Sequence, residues 1–213
     1  MENEENTVVE EQQNEAPVTT APEAPAKKKL PPFAVLAIIA TVAAVVLALT
    51  NMVTAGPIRE LAMKDLRAAF DSVMPAYGYE EIAIPEEYST VSALYVAQNE
   101  DNSVKGYCVT AAANGFNGKV AVTFGVDVDG KITGCKVGDG DFAETPGYGA
   151  RAKDAAFQDQ FKGLDAVNGG SFDALAGATI TSKAVLKAAN DALKCVAVEC
   201  LKATPVDPVL SFN

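Results

Sequence analysis

From Phe33 to Ala55 the chain carries no charged residue and consists largely of Ala, Val, Leu, Ile and Thr. A helix needs about 20 apolar residues to cross the hydrocarbon core of a bilayer, and this run is long enough. A cleaved signal peptide has a shorter apolar region close to the terminus. This run instead follows a polar lead that ends at Lys29. A wholly apolar helix of this length does not suit the core of so small a domain. The sequence therefore predicts a transmembrane helix over 30–55. Lys27-Lys28-Lys29 flanks its N-terminal end, whereas Arg59, Lys64 and Arg67 beyond it are mixed with Glu60 and Asp65. The side richer in Lys and Arg faces the cytoplasm. The expectation is a cytoplasmic N-terminus and a domain, from about Gly56 on, outside the cytoplasm.

The segments on either side differ in kind. Residues 1–29 hold Glu2, Glu4, Glu5, Glu10, Glu11, Glu15 and Glu23, with Pro, Thr and Gln between them. That composition cannot bury a core, so an acidic, disordered cytoplasmic tail is expected. The net charge of -11 argues against nucleic acid as a partner. Histidine is absent, which removes the commonest metal ligand and general base. Cys108, Cys135, Cys195 and Cys200 form no C-x-x-C pair, so neither a zinc knuckle nor an iron–sulfur set is indicated. The default reading is four thiols acting as small hydrophobes, with disulfide pairing left open. No metal site and no catalytic acid or base is predicted.

Residues 56–90 read as a juxtamembrane helix, Ile58 to Met74, stopped by Pro75, and a polar connection with a short strand at Ile82 to Ile84. Strands follow at Val91 to Gln98, Gly106 to Ala112, Val120 to Val128 and Ile132 to Val137. Asn114-Gly115, Asn117-Gly118 and Asp129-Gly130 mark turns between them, so an antiparallel meander is expected. Val120, Val122, Phe124, Val126 and Val128 alternate with smaller or polar residues, which predicts one buried face. A helix capped by Asp154 and carrying Phe157 and Phe161 should end at Gly163. Pro205 and Pro208 are expected to end the ordered chain, leaving 203–213 as a tail.

The most telling stretch is a small-residue turn that runs into the last helix, Asp173-Ala174-Leu175-Ala176-Gly177-Ala178-Thr179-Ile180-Thr181-Ser182. Beyond it, Val185, Leu186, Ala189, Ala192, Leu193 and Val196 fall at helical spacing. Thr181 or Ser182 is a suitable N-cap. The free N–H groups and partial positive charge of a helix start favour a phosphate, and Thr179 places a hydroxyl there. Gly177 and Ala178 allow close approach to the backbone.

Six segments recur here in the order of a known family: Leu49 to Thr54, Gly106-Tyr107, Gly115 to Gly118, Asp129 to Ile132, Glu144-Thr145-Pro146-Gly147-Tyr148-Gly149, and Gly177 to Ser182. Over roughly Lys29 to Cys200 the chain resembles the G subunit (RnfG) of the Rnf electron-transport complex, an FMN-binding-domain protein. It is also similar to the C subunit (NqrC) of the sodium-translocating NADH:quinone oxidoreductase. The resemblance implies an α+β fold: one N-terminal transmembrane helix, then an extracytoplasmic FMN-binding domain (91–202) with an antiparallel sheet and packed helices. It implies that a flavin transferase moves FMN from FAD onto Thr179 as a phosphoester, within a motif that starts at Asp173. Ala176 stands where Ser or Thr is usual, and Tyr148 where Leu is usual. The cofactor-binding set implied is Thr179, Asp173, Gly177, Ala178, Thr181, Ser182, Glu144, Thr145, Pro146, Gly147 and Tyr148.

The implied function is electron relay through covalent FMN inside an ion-translocating ferredoxin:NAD oxidoreductase of the membrane, with sister subunits and the bilayer as partners and no activity alone. The alternatives are a component of the quinone oxidoreductase, a stand-alone tethered flavoprotein, and a flavin-free interaction module. No G-x-G-x-x-G follows a strand, so NAD binding by this chain is not expected.

Overall fold

The computed structural model describes residues 31–213. The acidic tail and the Lys27–Lys29 triplet lie outside the described residues. The chain divides into two compact units, Met1–Met52 and Val53–Asn213. Helix α1 spans Pro32–Val73. In the first unit its large apolar side chains, Leu36, Ile39, Val42 and Leu47 among them, are all exposed. Among the described residues this is the one helix long and apolar enough to cross a membrane, and none of its apolar window is buried. It is a candidate membrane span, not a core helix.

In the second unit five strands form one antiparallel sheet in sequence order: β1 Gly78–Glu81, β2 Val91–Gln98, β3 Val104–Asn114, β4 Lys119–Asp127 and β5 Ile132–Val137. The edge strand is Gly78–Glu81, not the expected Ile82–Ile84. Gly78 to Glu81 pair with Gln98 to Tyr95, while Ile82 and Ile84 turn inward onto the core. Short helix α2, Ala155–Gln158, lies between two turns of tighter helix, Gly149–Lys153 and Asp159–Phe161. Asp154 takes the N-cap position there but its side chain makes no capping bond.

Helix α3, Thr179–Cys195, packs across β3 and β4 with a face of small residues, Ala184, Val185, Ala188, Ala189 and Ala192. Short side chains let the helix backbone come close to the sheet. Val120, Val122, Phe124 and Val126 meet this face. Beside it Phe124, Phe157, Phe161 and Phe172 stack at centroid distances of 4.5 to 5.9 Å. Past α3 the chain loosens into one wide turn, Val196–Cys200. The thiols of Cys108, Cys135, Cys195 and Cys200 are all free, three of them buried.

The expectation of a single buried face fails at β4, where Val120 to Val126 is buried without a break. The end of α1 covers the back of the sheet. Its residues Phe70, Val73 and the following Met74 pack with Ala93, Tyr95, Ala97 and Cys108. Gly125 and Gly134, paired across β4 and β5, make this possible. A Cβ on Gly134 would lie 2.9 Å from the Val73 Cα, and one on Gly125 2.8 Å from the Val73 carbonyl oxygen. The Thr133 hydroxyl donates to that carbonyl at 2.8 Å, which satisfies an orphan acceptor of the helix end.

The C-terminus is also not a tail. Strand β7, Leu210–Phe212, pairs in parallel with β6, Gly170–Phe172. Asn190 of α3 clamps it, donating to the Leu210 carbonyl at 3.1 Å and accepting the Leu210 N–H at 2.7 Å. Pro205 and Pro208 precede this strand and do not end the fold.

Asp165 fixes the segment that leads into β6. Its Oδ1 accepts the Val167 and Asn168 amides at 2.8 and 2.9 Å, and Oδ2 accepts Lys131 Nζ and Asn168 Nδ2 at 3.0 Å each. Burial pushes this carboxyl up. The bonds from Asn168, Lys131 and Val167 together outweigh that and hold it well below the usual carboxylate range. A carboxyl with a depressed folded pKa adds stability above its unfolded pKa, and that stability is lost as the pH falls toward the folded value. Asp165→Asn should therefore lower thermal stability of the full chain in detergent at neutral pH, by about 1–3 kcal/mol. The gap to wild type should close steadily below about pH 4.

Candidate functional site

The turn before α3 is fixed at three points. The Ala178 N–H donates to the Leu175 carbonyl at 3.1 Å, closing a four-residue turn whose third residue, Gly177, has φ +76°. A left-handed third residue is what such a turn requires, and glycine takes it without steric cost. The Leu175 N–H donates to Ser182 Oγ at 2.9 Å, tying the turn to the first turn of the helix. The first amide bonded back along α3 is that of Ser182, to the Ala178 carbonyl at 2.9 Å. The N–H groups of Thr179, Ile180 and Thr181 are left at the open helix start.

Neither Thr181 nor Ser182 is the N-cap. Ala178 holds that position and offers no capping side chain. Ser182 is fully buried on the Leu175 amide. Thr181 is 2% exposed and its hydroxyl donates to Glu144 Oε2 at 2.8 Å. Thr179 is exposed, and among the described residues its hydroxyl has no partner. Of the three hydroxyls at the head of α3, Thr179 alone is available for chemistry.

Glu144 is the hub of the site. It is 6% exposed. While Oε2 takes the Thr181 hydroxyl, Oε1 accepts the amides of Phe116 at 2.8 Å and Asn117 at 3.2 Å. One carboxylate thus joins the β3–β4 turn, its own loop and the first turn of α3. Its oxygens face protein donors, so it shapes the site from behind.

A cleft of about 440 Å³ opens where these three segments meet, within the range of small-molecule sites. Thr179, Gly177, Ala178 and Ile180 form one side, Thr145, Tyr148 and Gly149 another, and Phe116 the third. Tyr148 and Phe116 are 57% and 67% exposed, so two aromatic side chains stand free at its mouth. A Cβ on Gly177 would come within 3.2 Å of the Tyr148 ring, so the bare backbone there gives the ring its place.

Of the residues expected in the site, the structure gathers Thr179, Gly177, Ala178, Thr181, Glu144, Thr145 and Tyr148 at this cleft. Pro146 and Gly147 are exposed loop residues outside its lining. Asp173 also lies outside it. Its carboxylate accepts Asn213 Nδ2 at 2.9 Å and its N–H donates to Gln160 at 2.7 Å, so it anchors the turn to the C-terminal strand. Phe116 was missed from sequence. A large aromatic inside Asn114-Gly115-Phe116-Asn117-Gly118, otherwise all polar or glycine, was the available signal.

The residues fit a tethered FMN on their own chemistry: an exposed, unpaired hydroxyl, free helix-start amides for an anion, and aromatic walls for a flat ring. Breaking the hub should loosen the cleft. Glu144→Gln should lower stability of the full chain by about 1–3 kcal/mol. In a Thr181→Val background the same change should cost measurably less, because the two side chains share one bond. Thermal melts of the two single variants and the double variant check this.

The family model described as an FMN-binding domain matches residues 115–194, which hold the β3–β4 turn, Glu144 and most of α3. The G subunit of the Na(+)-translocating ferredoxin:NAD(+) oxidoreductase complex of Acetobacterium woodii is 34% identical over 180 residues, covering 73% of this chain and 86% of that one. The G subunit of the ion-translocating oxidoreductase complex of Methanosarcina acetivorans is 31% identical over 175 residues, covering 77% of this chain and 92% of that one. Among solved structures, the C subunit of the Na(+)-translocating NADH-quinone reductase of Parabacteroides distasonis is 24% identical with a TM-score of 0.41, covering 49% of this chain and 58% of that one. The chain belongs to the family of G subunits of the ion-translocating, Rnf-type oxidoreductase complexes.

Proposed function

We propose that this chain is the flavin-bearing electron-relay component of an Rnf-type complex, with FMN joined to Thr179 by a phosphoester. In this reading the complex exchanges electrons between ferredoxin and NAD and translocates an ion, in line with the Na(+)-translocating ferredoxin:NAD(+) oxidoreductase of one relative's name and the ion-translocating oxidoreductase of another's. The observation that carries the attachment is the exposed, unpartnered Thr179 hydroxyl at the head of α3, beside a Thr181 and a Ser182 that are buried and engaged. FMN, when bound, supplies one- and two-electron chemistry that side chains lack.

The chain's own residues bind and orient. The amides of Thr179, Ile180 and Thr181 and the dipole of α3 favour a negative phosphoryl group at Thr179. Phe116 and Tyr148 provide faces on which a flat aromatic ring can rest. Glu144 keeps the three walls at fixed separation through bonds of 2.8 to 3.2 Å. No residue here has to act as acid or base, which accords with a chain without histidine.

In the same reading the apolar part of α1, up to Ala55, holds the chain in the bilayer. The acidic segment 1–29 faces the cytoplasm, and the unit from Val53 on stands outside it, where a covalent tether prevents loss of the cofactor. A flavin transferase loads the domain, and sister subunits of the complex are its electron partners. The test is intact mass after denaturation, with the chain co-expressed with a flavin transferase. Wild type and Thr181→Val should each gain one FMN less water, and Thr179→Val none. Unmodified wild type beside a labelled control acceptor would remove covalent attachment from the reading.

A further inference from the structure

Beyond Ile180, along the flank of α3, lies a second cleft of about 590 Å³ that the FMN-binding motif does not explain. Thr90 and Ser92, Asn114 of β3, Lys119 of β4, and Lys183 and Lys187 of α3 contribute its polar lining. No carboxylate lines it, although the chain has a net charge of -11. Lys187 is already paired with Asp191 at 2.9 Å, and Thr90 donates to the same carboxylate at 2.7 Å. Lys119 and Lys183 have no ion pair among the described residues. Two uncompensated cations in one concave surface of an acidic protein call for an anion.

The position of Lys183 says which. It follows Thr179 by four residues in α3, so the two side chains are neighbours on one face, with about 5–6 Å between Cβ atoms. Side chains on a helix lean toward its N-terminus, so the Lys183 stem leans toward Thr179. Ile180 borders both clefts and separates the aromatic one from the basic one.

We propose that Lys183, with Lys119 on the β4 wall of the same cleft, is the cationic seat for the phosphoryl group carried by Thr179. The inference rests on Thr179 being the attachment point. The ester forms when Thr179 Oγ bonds to the phosphorus of the FMN half of FAD. The phosphorus–oxygen bond to the adenylate half breaks, AMP leaves with that electron pair, and the hydroxyl proton passes to a base of the flavin transferase. Lys183 meets the charge spread over the phosphoryl oxygens in that step. Afterwards it pairs with the single negative charge that the diester keeps.

The experiment uses the full chain in detergent with a flavin transferase and FAD. Labelling is followed by intact mass at low and high salt, and the finished ester is read by its phosphorus resonance. Lys183→Gln should slow labelling by about tenfold, the size of one charge-assisted bond. Lys183→Arg should keep most of the rate, and Lys119→Gln should cost less than Lys183→Gln. Salt should slow the wild type and leave Lys183→Gln nearly unmoved. The phosphorus resonance should shift in Lys183→Gln and stay near its wild-type position in Lys183→Arg. Equal rates, equal salt dependence and an unshifted resonance overturn the proposal while attachment at Thr179 stands. A slower rate with an unshifted resonance assigns the lysine to transferase recognition and overturns it too. Failure of the wild type to label, beside a labelled control acceptor, overturns Thr179 itself.

Discussion

The buried carboxylate of Glu144 is the constraint on which the rest of the site depends. A carboxylate removed from water is costly unless its oxygens are satisfied by donors. Here three donors from two other segments meet it, the Phe116 and Asn117 amides and the Thr181 hydroxyl. The β3–β4 turn cannot drift without exposing one oxygen, and α3 cannot roll without exposing the other. A glutamate does what glutamine would do less well, because both of its oxygens accept.

A second constraint sets the sheet itself. Gly125 and Gly134 leave a shallow floor on the back of the sheet, and Val73, at the end of α1, sits on it. With α3 on the front, strand β4, between β3 and β5, is buried on both sides. That makes the platform under the cleft stiff, since a close-packed interior has little free volume into which a strand could shift. The two devices act together: the glycine floor fixes the sheet to its helix, and Glu144 fixes the loops to the sheet.

Local signals and non-local ones explain what could be read beforehand. Val91–Gln98 and Ile132–Val137 were legible to their ends, since a short run of strand-forming residues and the Asp129-Gly130 turn are local signals. The head of α3 was not legible in detail. Thr181 and Ser182 are interchangeable as N-cap candidates until Glu144, 37 residues away from Thr181, engages the one and the Leu175 amide the other. The C-terminal strand was hidden for the same reason, because its pairing with Gly170–Phe172 and its clamp by Asn190 are contacts between distant positions. Asp173 was placed with the cofactor by motif, while its bonds to Asn213 and Gln160 make it a structural anchor. Phe116 escaped because a lone aromatic in a turn has no periodicity to announce it.

The arrangement also explains why the proposed tether should stand at Thr179 and nowhere else on α3. One position later, Ile180 is the ridge between two clefts, and a group carried there would have to choose a side. Two positions later, Thr181 is buried on Glu144, and a phosphoryl group there would meet a carboxylate instead of a cation. At Thr179 the side chain is exposed, the helix-start amides lie beneath it, Lys183 lies one turn below, and the aromatic cleft opens alongside. Charge and ring therefore have separate places. In the proposed function the anion would rest on the helix and its lysine and the ring against Phe116 and Tyr148, the two exposed aromatics of the cleft. The proposed electron relay would need that combination: a cofactor that cannot leave, held on a stiff platform, with one side accessible.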